Sequence, residues 1–342
     1  MRVLLVSEKL GQHQALGLRI RIEGITSAIG DFGHETRSLQ IRPGANPAAE
    51  ILKFLPSDFK NFELAIKEFK PELIVIFGLP LAIAMTYRAV HTNTDASLHI
   101  DVCDSWTLLS SVQGARFKNK HFWRIAYKLK LFAAKLALRS LPQRASVSFI
   151  TRQDLVADQN WIRTNRVAVI PNGEPQARAK VERLNHDPNG PFLLLGDGAY
   201  APNQAALNNA INWLELQGCL ESVGITVVGP NWQDPSKAGV KVLGWVENLE
   251  PIFQSTRASL LLLDAGAGQK NKALDALSFG HPIVGTSSAK AGFENSRLWV
   301  DFTGQNLPTI TNQLDQVAAA FEPFELETWI KSTSAMLDLA TK

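Results

Sequence analysis

Residues 262–286 read LLDAGAGQKNKALDALSFGHPIVGT, and this stretch is the most informative part of the chain. It predicts an apolar strand, a glycine-rich loop, a helix and a second apolar strand. Gly266 and Gly268 let the backbone come close to a ligand, while Lys270 and Lys272 place positive charge where the helix begins. A diphosphate suits such a loop. A plain βαβ unit with solvated lysines and a tight glycine turn fits the same residues.

A carboxylate follows on the same predicted helix. Asp275 comes nearly one turn after Lys272, so both side chains can face one ligand, the lysine a phosphate and the carboxylate the hydroxyls of a ribose. Gln269 and Asn271 flank Lys270 and are further candidates for contact with that ligand. His281 and Pro282 are expected to end the helix.

The whole chain shows the same alternation of strands and helices. Its 342 residues, 45% of them hydrophobic, suffice for two domains with separate cores. Strands are predicted at 2–7, 36–41, 72–77, 97–103, 146–150 and 166–170, and then at 192–195, 225–228, 240–243, 259–263 and 282–284. This order is typical of α/β domains with parallel, doubly wound sheets. The polar segment 174–190 is predicted to link the domains, and 324–342 to form a closing helix that packs back on the first.

Cysteine usage and hydropathy indicate the compartment. Cys103 and Cys219 lie far apart, without the spacing of a disulfide framework or a zinc site, which suits a reducing environment. The apolar run at the N-terminus is too short for a signal peptide, and no stretch approaches 18 uncharged apolar residues. We therefore expect a cytoplasmic protein.

Basic residues concentrate in the first half. Residues 1–172 hold 23 Lys and Arg against 14 Asp and Glu, whereas the remainder holds 12 against 18. No acidic residue occurs between Asp104 and Asp154. A helix predicted over 119–140 carries an apolar and a basic stripe. The candidate residues for contact with a membrane or another polyanion are Arg116, Lys118, Lys120, Arg124, Lys128, Lys135 and Arg139.

The apolar stripe of this helix consists of Phe122, Ile125, Leu129, Phe132 and Leu136. Three interpretations are open: a surface helix that packs the stripe on its own domain, docking on an anionic membrane, and binding of nucleic acid or another polyanion. The sequence contains no RNP, zinc-finger or helix-turn-helix signature, so nucleic acid is not the expected partner.

Three other motifs stand in register with the loop and helix of 266–286. They are VIPNG at 169–173, GDGAYAPNQAAL at 196–207 and GWVENL at 244–249. Together the four resemble the family 4 glycosyltransferases, and the resemblance covers nearly the whole chain. It implies the GT-B fold, in which two Rossmann-like domains face a central cleft. Residues 1–173 would then bind the acceptor and 191–323 the nucleotide-sugar.

The resemblance also implies a reaction. A retaining, hexosyltransferase-like enzyme would move a sugar from a nucleoside diphosphate to a glycan or lipid-linked acceptor in bacterial surface-polysaccharide synthesis, and a lipid-linked acceptor would suit a peripheral position on the inner face of the membrane. Lys272 matches the lysine of the family's loop-helix motif, and Lys270 would help it neutralise the departing diphosphate. Asp101 and Asp104, in DVCD, lack the spacing of an Asp-x-Asp metal site, so no metal or other cofactor is expected.

Two positions depart from the family pattern. Asp275 stands where a glutamate usually meets the ribose, and Ala267 where many members carry a second glutamate that contacts the sugar. Sugar recognition must therefore differ, with backbone amides of the glycine-rich loop as the expected contacts. Two alternatives follow: a glycosyltransferase acting on a soluble small molecule or protein, and a non-catalytic nucleotide-sugar-binding or scaffold protein.

The remaining candidate residues follow predicted strands. Gly198, Tyr200 and Asn203, after 192–195, either approach the donor or shape the turn. Asp104 follows 97–103 and either contacts the acceptor or sugar as a catalytic residue, or caps a helix that begins at Ser105. The candidates for acceptor contact, in the loop after the first strand, are Gly11, His13 and Gly17. A lone histidine such as His13 is more often a surface residue than a catalyst.

Overall fold

The computed structural model describes residues 1–9, 16–41, 56–79, 81, 85, 89, 95–109, 121–175, 178–264 and 266–341. The chain divides into two compact units, Met1–Gly173 with Glu327–Lys342, and Glu174–Leu326. Each unit contains a six-stranded sheet. Some residues singled out in the sequence lie outside the described part of the chain: Gly11, His13, Arg116, Lys118 and Lys120.

The first sheet is entirely parallel. Its strands are β1 (Arg2–Glu8), β2 (Glu35–Ile41), β3 (Leu73–Phe77), β4 (Ser97–Cys103), β5 (Ser146–Phe149) and β6 (Val167–Val169). They lie in the order β2-β1-β3-β4-β5-β6. Every residue of β3 is buried, as expected of a central strand covered on both faces. Each predicted strand end in this half lies within one residue of the observed end.

The second sheet repeats this arrangement. The strands of the second unit are β7 (Lys180–Val181), β8 (Phe192–Leu195), β9 (Ile225–Val228), β10 (Val240–Gly244), β11 (Ser259–Leu261), β12 (Ile283–Gly285), β13 (Trp299–Asp301) and β14 (Phe324–Glu325). Six of them form a parallel sheet in the order β10-β9-β8-β11-β12-β13, and β14 pairs with β7 in a separate antiparallel pair. The three strands β7, β13 and β14 were not predicted from the sequence.

Helices cover these sheets. They are α1 (Leu16–Asp31), α2 (Pro56–Phe69), α3 (His121–Ser140), α4 (Arg152–Asp158), α5 (Ala201–Glu215), α6 (Leu220–Val223), α7 (Glu250–Gln254), α8 (Asn271–Ser278), α9 (Leu307–Ala319) and α10 (Trp329–Thr341). Residues 106–109 are also helical. Across the described residues, no helix has both the length and the apolarity needed to cross a bilayer.

The end of the chain differs from the prediction of one closing helix over 324–342. Residues 324–325 instead form β14, which pairs with β7 in the second unit, and only α10 returns to the first unit. Segment 174–190, predicted as a linker, instead belongs to the second unit and contributes β7 to it. Its polar, proline- and glycine-rich composition suits a surface loop of a domain as well as a linker.

Helix α10 fills part of the first unit's core. Trp329 and Met336 cluster with Val3 and Ile25, and Met336 is completely buried. A Cβ atom at Gly24 of α1 would lie 2.3 Å from the Trp329 ring, so the two helices can approach this closely only because residue 24 has no side chain. The final helix is therefore an integral part of the first unit.

A buried ion pair joins α1 to the first sheet. Arg21 and Asp101 are both completely buried, and the guanidinium binds both carboxylate oxygens, Nε to Oδ2 at 2.6 Å and Nη2 to Oδ1 at 3.3 Å. Arg21 Nη1 also donates to Oδ1 of Asn172, beyond β6, at 2.9 Å. Three separate parts of the chain thus meet at one guanidinium.

Helix α3 is the basic amphipathic helix expected over 119–140. Its apolar residues Ile125, Leu129, Phe132 and Leu136 are exposed, so the interpretation in which these side chains pack on the first domain is wrong. The buried face contains small alanines and a leucine instead: Ala134, Ala137 and Leu138. Small side chains let the helix approach the core closely, which leaves the large apolar residues on the outer face.

Candidate functional site

The order of strands in the second sheet marks the place for a ligand. β8 and β11 are parallel neighbours, with β9 and β10 on one side and β12 and β13 on the other. Connections that leave two such strands in opposite directions open a crevice at their carboxyl ends. The loops that follow β8 and β11 carry the donor-binding candidates of the second unit.

Lys272 lies at this point. It is the second residue of α8, and its Nζ donates to Oδ1 of Asn203 at 2.9 Å and to the carbonyl oxygen of Leu195 at 3.3 Å. Burial, together with the charge of Lys270, lowers the pKa of Lys272 to about 8. The structure therefore holds a partly buried ammonium where β8 ends and where α5 and α8 begin.

The glycine-rich loop is organised by Lys270. Its Nζ donates to the carbonyl oxygens of Ala267 and Gly268, both at 2.7 Å, so its ammonium closes the loop. Gly268 has a φ of +69°, a conformation that favours glycine. A Cβ atom at Gly266 would lie 3.0 Å from Lys270 Nζ. The loop thus packs closely against the side chain of Lys270, just before the N-terminus of α8.

The neighbours of Lys270 are partly buried. Gln269 lies in the loop and Asn271 is the first residue of α8. Both therefore sit where the macrodipole of α8 is most positive, beside the lysine that closes the loop.

The loop after β8 supports Lys272 through Asn203. Asn203 is buried, its Nδ2 donates to the carbonyl of Asp197 at 2.9 Å, and its backbone N–H donates to the carbonyl of Tyr200 at 2.8 Å. A Cβ atom at Gly198 would lie 2.5 Å from the carbonyl oxygen of Asn231, so this glycine allows a close backbone approach. Asn203 shapes the turn and orients the lysine, whereas the side chain of Tyr200 is exposed.

Asp275 lies one turn beyond Lys272, within an acidic and basic cluster. Arg178 Nη2 is 2.9 Å from Oε2 of the buried Glu174, four residues away in the sequence. Burial, with a smaller contribution from the charge of Asp275, raises the pKa of Glu174 to about 7 against the opposing effect of Arg178. Burial also raises the pKa of Asp275, which Arg178 partly offsets. The positive charge of Arg178 thus opposes the effect of burial on the pKa of both carboxylates.

Replacing Glu174 with glutamine is expected to stabilise the second unit at alkaline pH. Between the ordinary pKa of 4.5 and about 7, the folded state holds more protons on Glu174 than the unfolded state, so stability falls as the pH rises. Above pH 7, Glu174→Gln should raise the free energy of unfolding by about 1–3 kcal/mol, because it removes the cost of a buried carboxylate. Below the ordinary pKa of Glu174, it should change the free energy of unfolding little. Calorimetric melting of both proteins across this range measures the difference. Equal melting temperatures at alkaline pH would contradict it.

In the first unit, Asp104 lies at a bend just after β4, partly buried. Ser105 Oγ accepts from the backbone N–H of Leu108 at 3.0 Å, so Ser105 itself occupies the cap position of the helix that follows. Gly17, predicted in a loop, is an exposed residue in the first turn of α1. Asp104 therefore stays a candidate at the carboxyl edge of its sheet.

The basic candidates on α3 have different surroundings. Lys128 and Arg139 are exposed, whereas Lys135 is half-buried with its Nζ 4.6 Å from the centroid of the Trp161 ring. Arg124 lies in α3, but its side chain is outside the described part of the structure. Lys135 thus stabilises the first unit through a cation–π contact.

Reasoning from the sequence missed two residues of the donor-side cluster, Glu174 and Arg178. They lie about 100 residues from Asp275 in a segment predicted as a linker. The available signal was a glutamate directly after the VIPNG motif with an arginine four residues later, a spacing that suits an ion pair. Among the described residues, no group of three or more His, Cys, Asp and Glu side chains is placed to hold a metal ion.

Comparison with known proteins establishes the fold of this chain. No family model matches the chain, and no curated protein matches its sequence significantly. Solved structures do match. Sucrose-phosphate synthase from Thermosynechococcus elongatus has a TM-score of 0.61 at 12% identity and covers 99% of this chain and 94% of its own. HepE from Anabaena in complex with UDP has the same TM-score, identity and coverages.

A third similar structure is the lipopolysaccharide outer core galactosyltransferase WaaB in its apo form. Its TM-score is 0.60 at 11% identity, and the match covers 100% of this chain and 96% of WaaB. At such identities the likeness establishes the fold alone. The chain has the α/β GT-B fold with two parallel, Rossmann-like sheets, which confirms the predicted fold class.

Proposed function

We propose that the chain is a retaining, nucleotide-sugar-dependent glycosyltransferase of family 4, with a hexose as the transferred sugar. The observation that carries this proposal is the position of Lys272, a partly buried ammonium at the switch point of the second sheet, one helical turn from Asp275. A diphosphate beside Lys272 would also meet the N-terminus of α8, and a ribose would lie within reach of Asp275.

The reaction breaks the bond between the anomeric carbon of the sugar and an oxygen of the diphosphate. A new bond forms from that carbon to an acceptor oxygen, which loses its proton, and negative charge builds up on the departing diphosphate. Lys272 and the α8 N-terminus stabilise that charge, with Lys270 fixing the loop beside them. We assign this work to protein groups and not to a metal. Asp104 is assigned to contact with the acceptor or sugar in the first unit.

Different similar structures support the proposed donor and the proposed acceptor. HepE has been solved with UDP and with UDP-glucose, which favours a uridine diphosphate sugar as donor. WaaB is a lipopolysaccharide galactosyltransferase, which favours a glycan or lipid-linked acceptor. A role in bacterial surface-polysaccharide synthesis at the cytoplasmic face of the membrane is consistent with both.

A binding screen tests this function. Melting temperatures of the full chain are measured with UDP-, GDP-, ADP- and dTDP-linked sugars, for the wild type, Asp275→Ala and Lys237→Ala. Lys237 is a matched control because it forms an exposed ion pair with Glu215 in the same unit. Sugars linked to one of these nucleotides should raise the melting temperatures of the wild type and of Lys237→Ala. The same sugars should raise the melting temperature of Asp275→Ala by a smaller amount.

The outcomes separate the competing functions. Stabilisation by one nucleotide family, with release of its diphosphate and retained configuration in the product, supports the transferase. Activity restricted to soluble acceptors would instead support transfer to a small molecule or protein. Binding without turnover on any acceptor would indicate a nucleotide-sugar-binding or scaffold protein. Absence of stabilisation by every nucleotide contradicts the proposed site.

A further inference from the structure

The outer face of α3 carries a continuous row of large apolar side chains, named here the α3 apolar stripe: Ile125, Leu129, Phe132 and Leu136. Their exposed fractions are 48%, 64%, 61% and 52%. Spacings of four, three and four residues place all of them on one side of the helix. Four large apolar groups in a row on a protein surface are typical of an interaction site.

The opposite face of α3 fixes the stripe in place. Ala134, Ala137 and Leu138 are buried, and the last two belong to the core of the first unit with Val147 and Phe149 of β5. The small residues of α3 therefore pack against the core of the first unit, and its large apolar residues face outward. The stripe is a fixed feature of the folded first unit.

Positive charge borders the stripe. Lys128 and Arg139 are exposed, and at 100° per residue both lie roughly 60° to the same side of the stripe. No acidic residue occurs in His121–Ser140. The surface thus combines an apolar centre with a cationic border, which complements a lipid bilayer with anionic headgroups.

We propose that the α3 apolar stripe docks the first unit on an anionic lipid bilayer. The helix lies in the plane of the interface, the stripe enters the boundary between headgroups and acyl chains, and Lys128 and Arg139 contact lipid phosphates. A second copy of the chain is a poorer occupant, because an antiparallel two-fold contact between the stripes would bring the two cationic borders together. The proposal does not depend on the reaction proposed for the second unit.

Flotation of the full chain with lipid vesicles tests this surface. Vesicles of phosphatidylcholine alone are compared with vesicles containing about one third phosphatidylglycerol, at low and high salt. The wild type should float with the anionic vesicles at low salt. Leu129→Ser/Phe132→Ser should lower the partition coefficient about tenfold or more, and Lys128→Gln/Arg139→Gln should remove its salt dependence.

A control lies in the other unit. Leu216 is 88% exposed, and Leu216→Ser should bind vesicles like the wild type. All variants should melt at the wild-type temperature, since the substituted side chains are exposed. Failure of the wild type to float, or unchanged flotation of Leu129→Ser/Phe132→Ser, overturns the proposal. A concentration-dependent dimer that this double variant abolishes, without vesicle binding, would assign the surface to a second copy instead.

Discussion

Replacing Lys272 with alanine is expected to lower sugar transfer by about 100- to 1,000-fold, the usual loss when a donor to a developing negative charge is removed. Lys272 is held by Asn203 and by the carbonyl of Leu195, so its position is set before any ligand binds. The nearby Lys270 binds the carbonyls of the loop and is poorly placed to substitute for it. Steady-state kinetics with saturating acceptor measure the loss, and Lys237→Ala should retain wild-type turnover.

The same lysine should make donor affinity depend on pH. A pKa of about 8 means that Lys272 is charged below this pH and neutral above it, so affinity for a nucleoside diphosphate should fall as the pH rises through about 8. Lys272→Arg should bind at least as well above pH 8 as below it, because arginine stays charged. Calorimetric titration about one pH unit to either side of that pKa measures the effect. Wild-type turnover or an unchanged pH profile in Lys272→Ala would remove the lysine from the mechanism.

Replacing Arg21 with alanine is expected to destabilise the first unit by about 3–5 kcal/mol, the cost of leaving a buried charge without its partner. Asp101 would keep a completely buried carboxylate, and Asn172 would lose the donor at its Oδ1. Thermal or urea unfolding of the full chain, followed by a signal from the first unit, measures the change.

Two further variants show that burial causes this effect. Arg37 forms an ion pair with Glu68 in the same unit, but both side chains are about half exposed, so Arg37→Ala should cost no more than about 1 kcal/mol. Arg21→Met/Asp101→Leu removes both charges and should recover much of the stability lost by Arg21→Ala. Equal effects of Arg21→Ala and Arg37→Ala would contradict the interpretation of the buried pair.

The sheets were predictable because their strands are short apolar runs between helical patterns. The ten boundaries around β1, β2, β3, β4 and β5 all lie within one residue of the prediction. Two of the strands that were missed, β7 and β14, have two residues each, too few for a periodic signal. The orientation of α3 was missed for another reason. Its periodicity revealed two faces, but the sequence could not show that the alanine face packs inward.

The site was predictable only where its residues are close in sequence. Lys272 and Asp275 share one helix, so their spacing placed them on the same side. Asn203 was a candidate for donor contact, but its bond to Lys272 joins residues 69 apart, which no local pattern reveals. Glu174 and Arg178 were hidden similarly, because their effect on Asp275 arises only when the second unit folds.

The path of the chain through its two units sets an order of folding during synthesis. The second unit is one continuous stretch, Glu174–Leu326, whereas the first needs Glu327–Lys342 as well. Trp329, Met336 and Ala340 fill the first unit's core, so the half that leaves the ribosome first is completed last. Until then its β1 and α1 expose the apolar surface that α10 will cover. That waiting period is when a chaperone would be needed most.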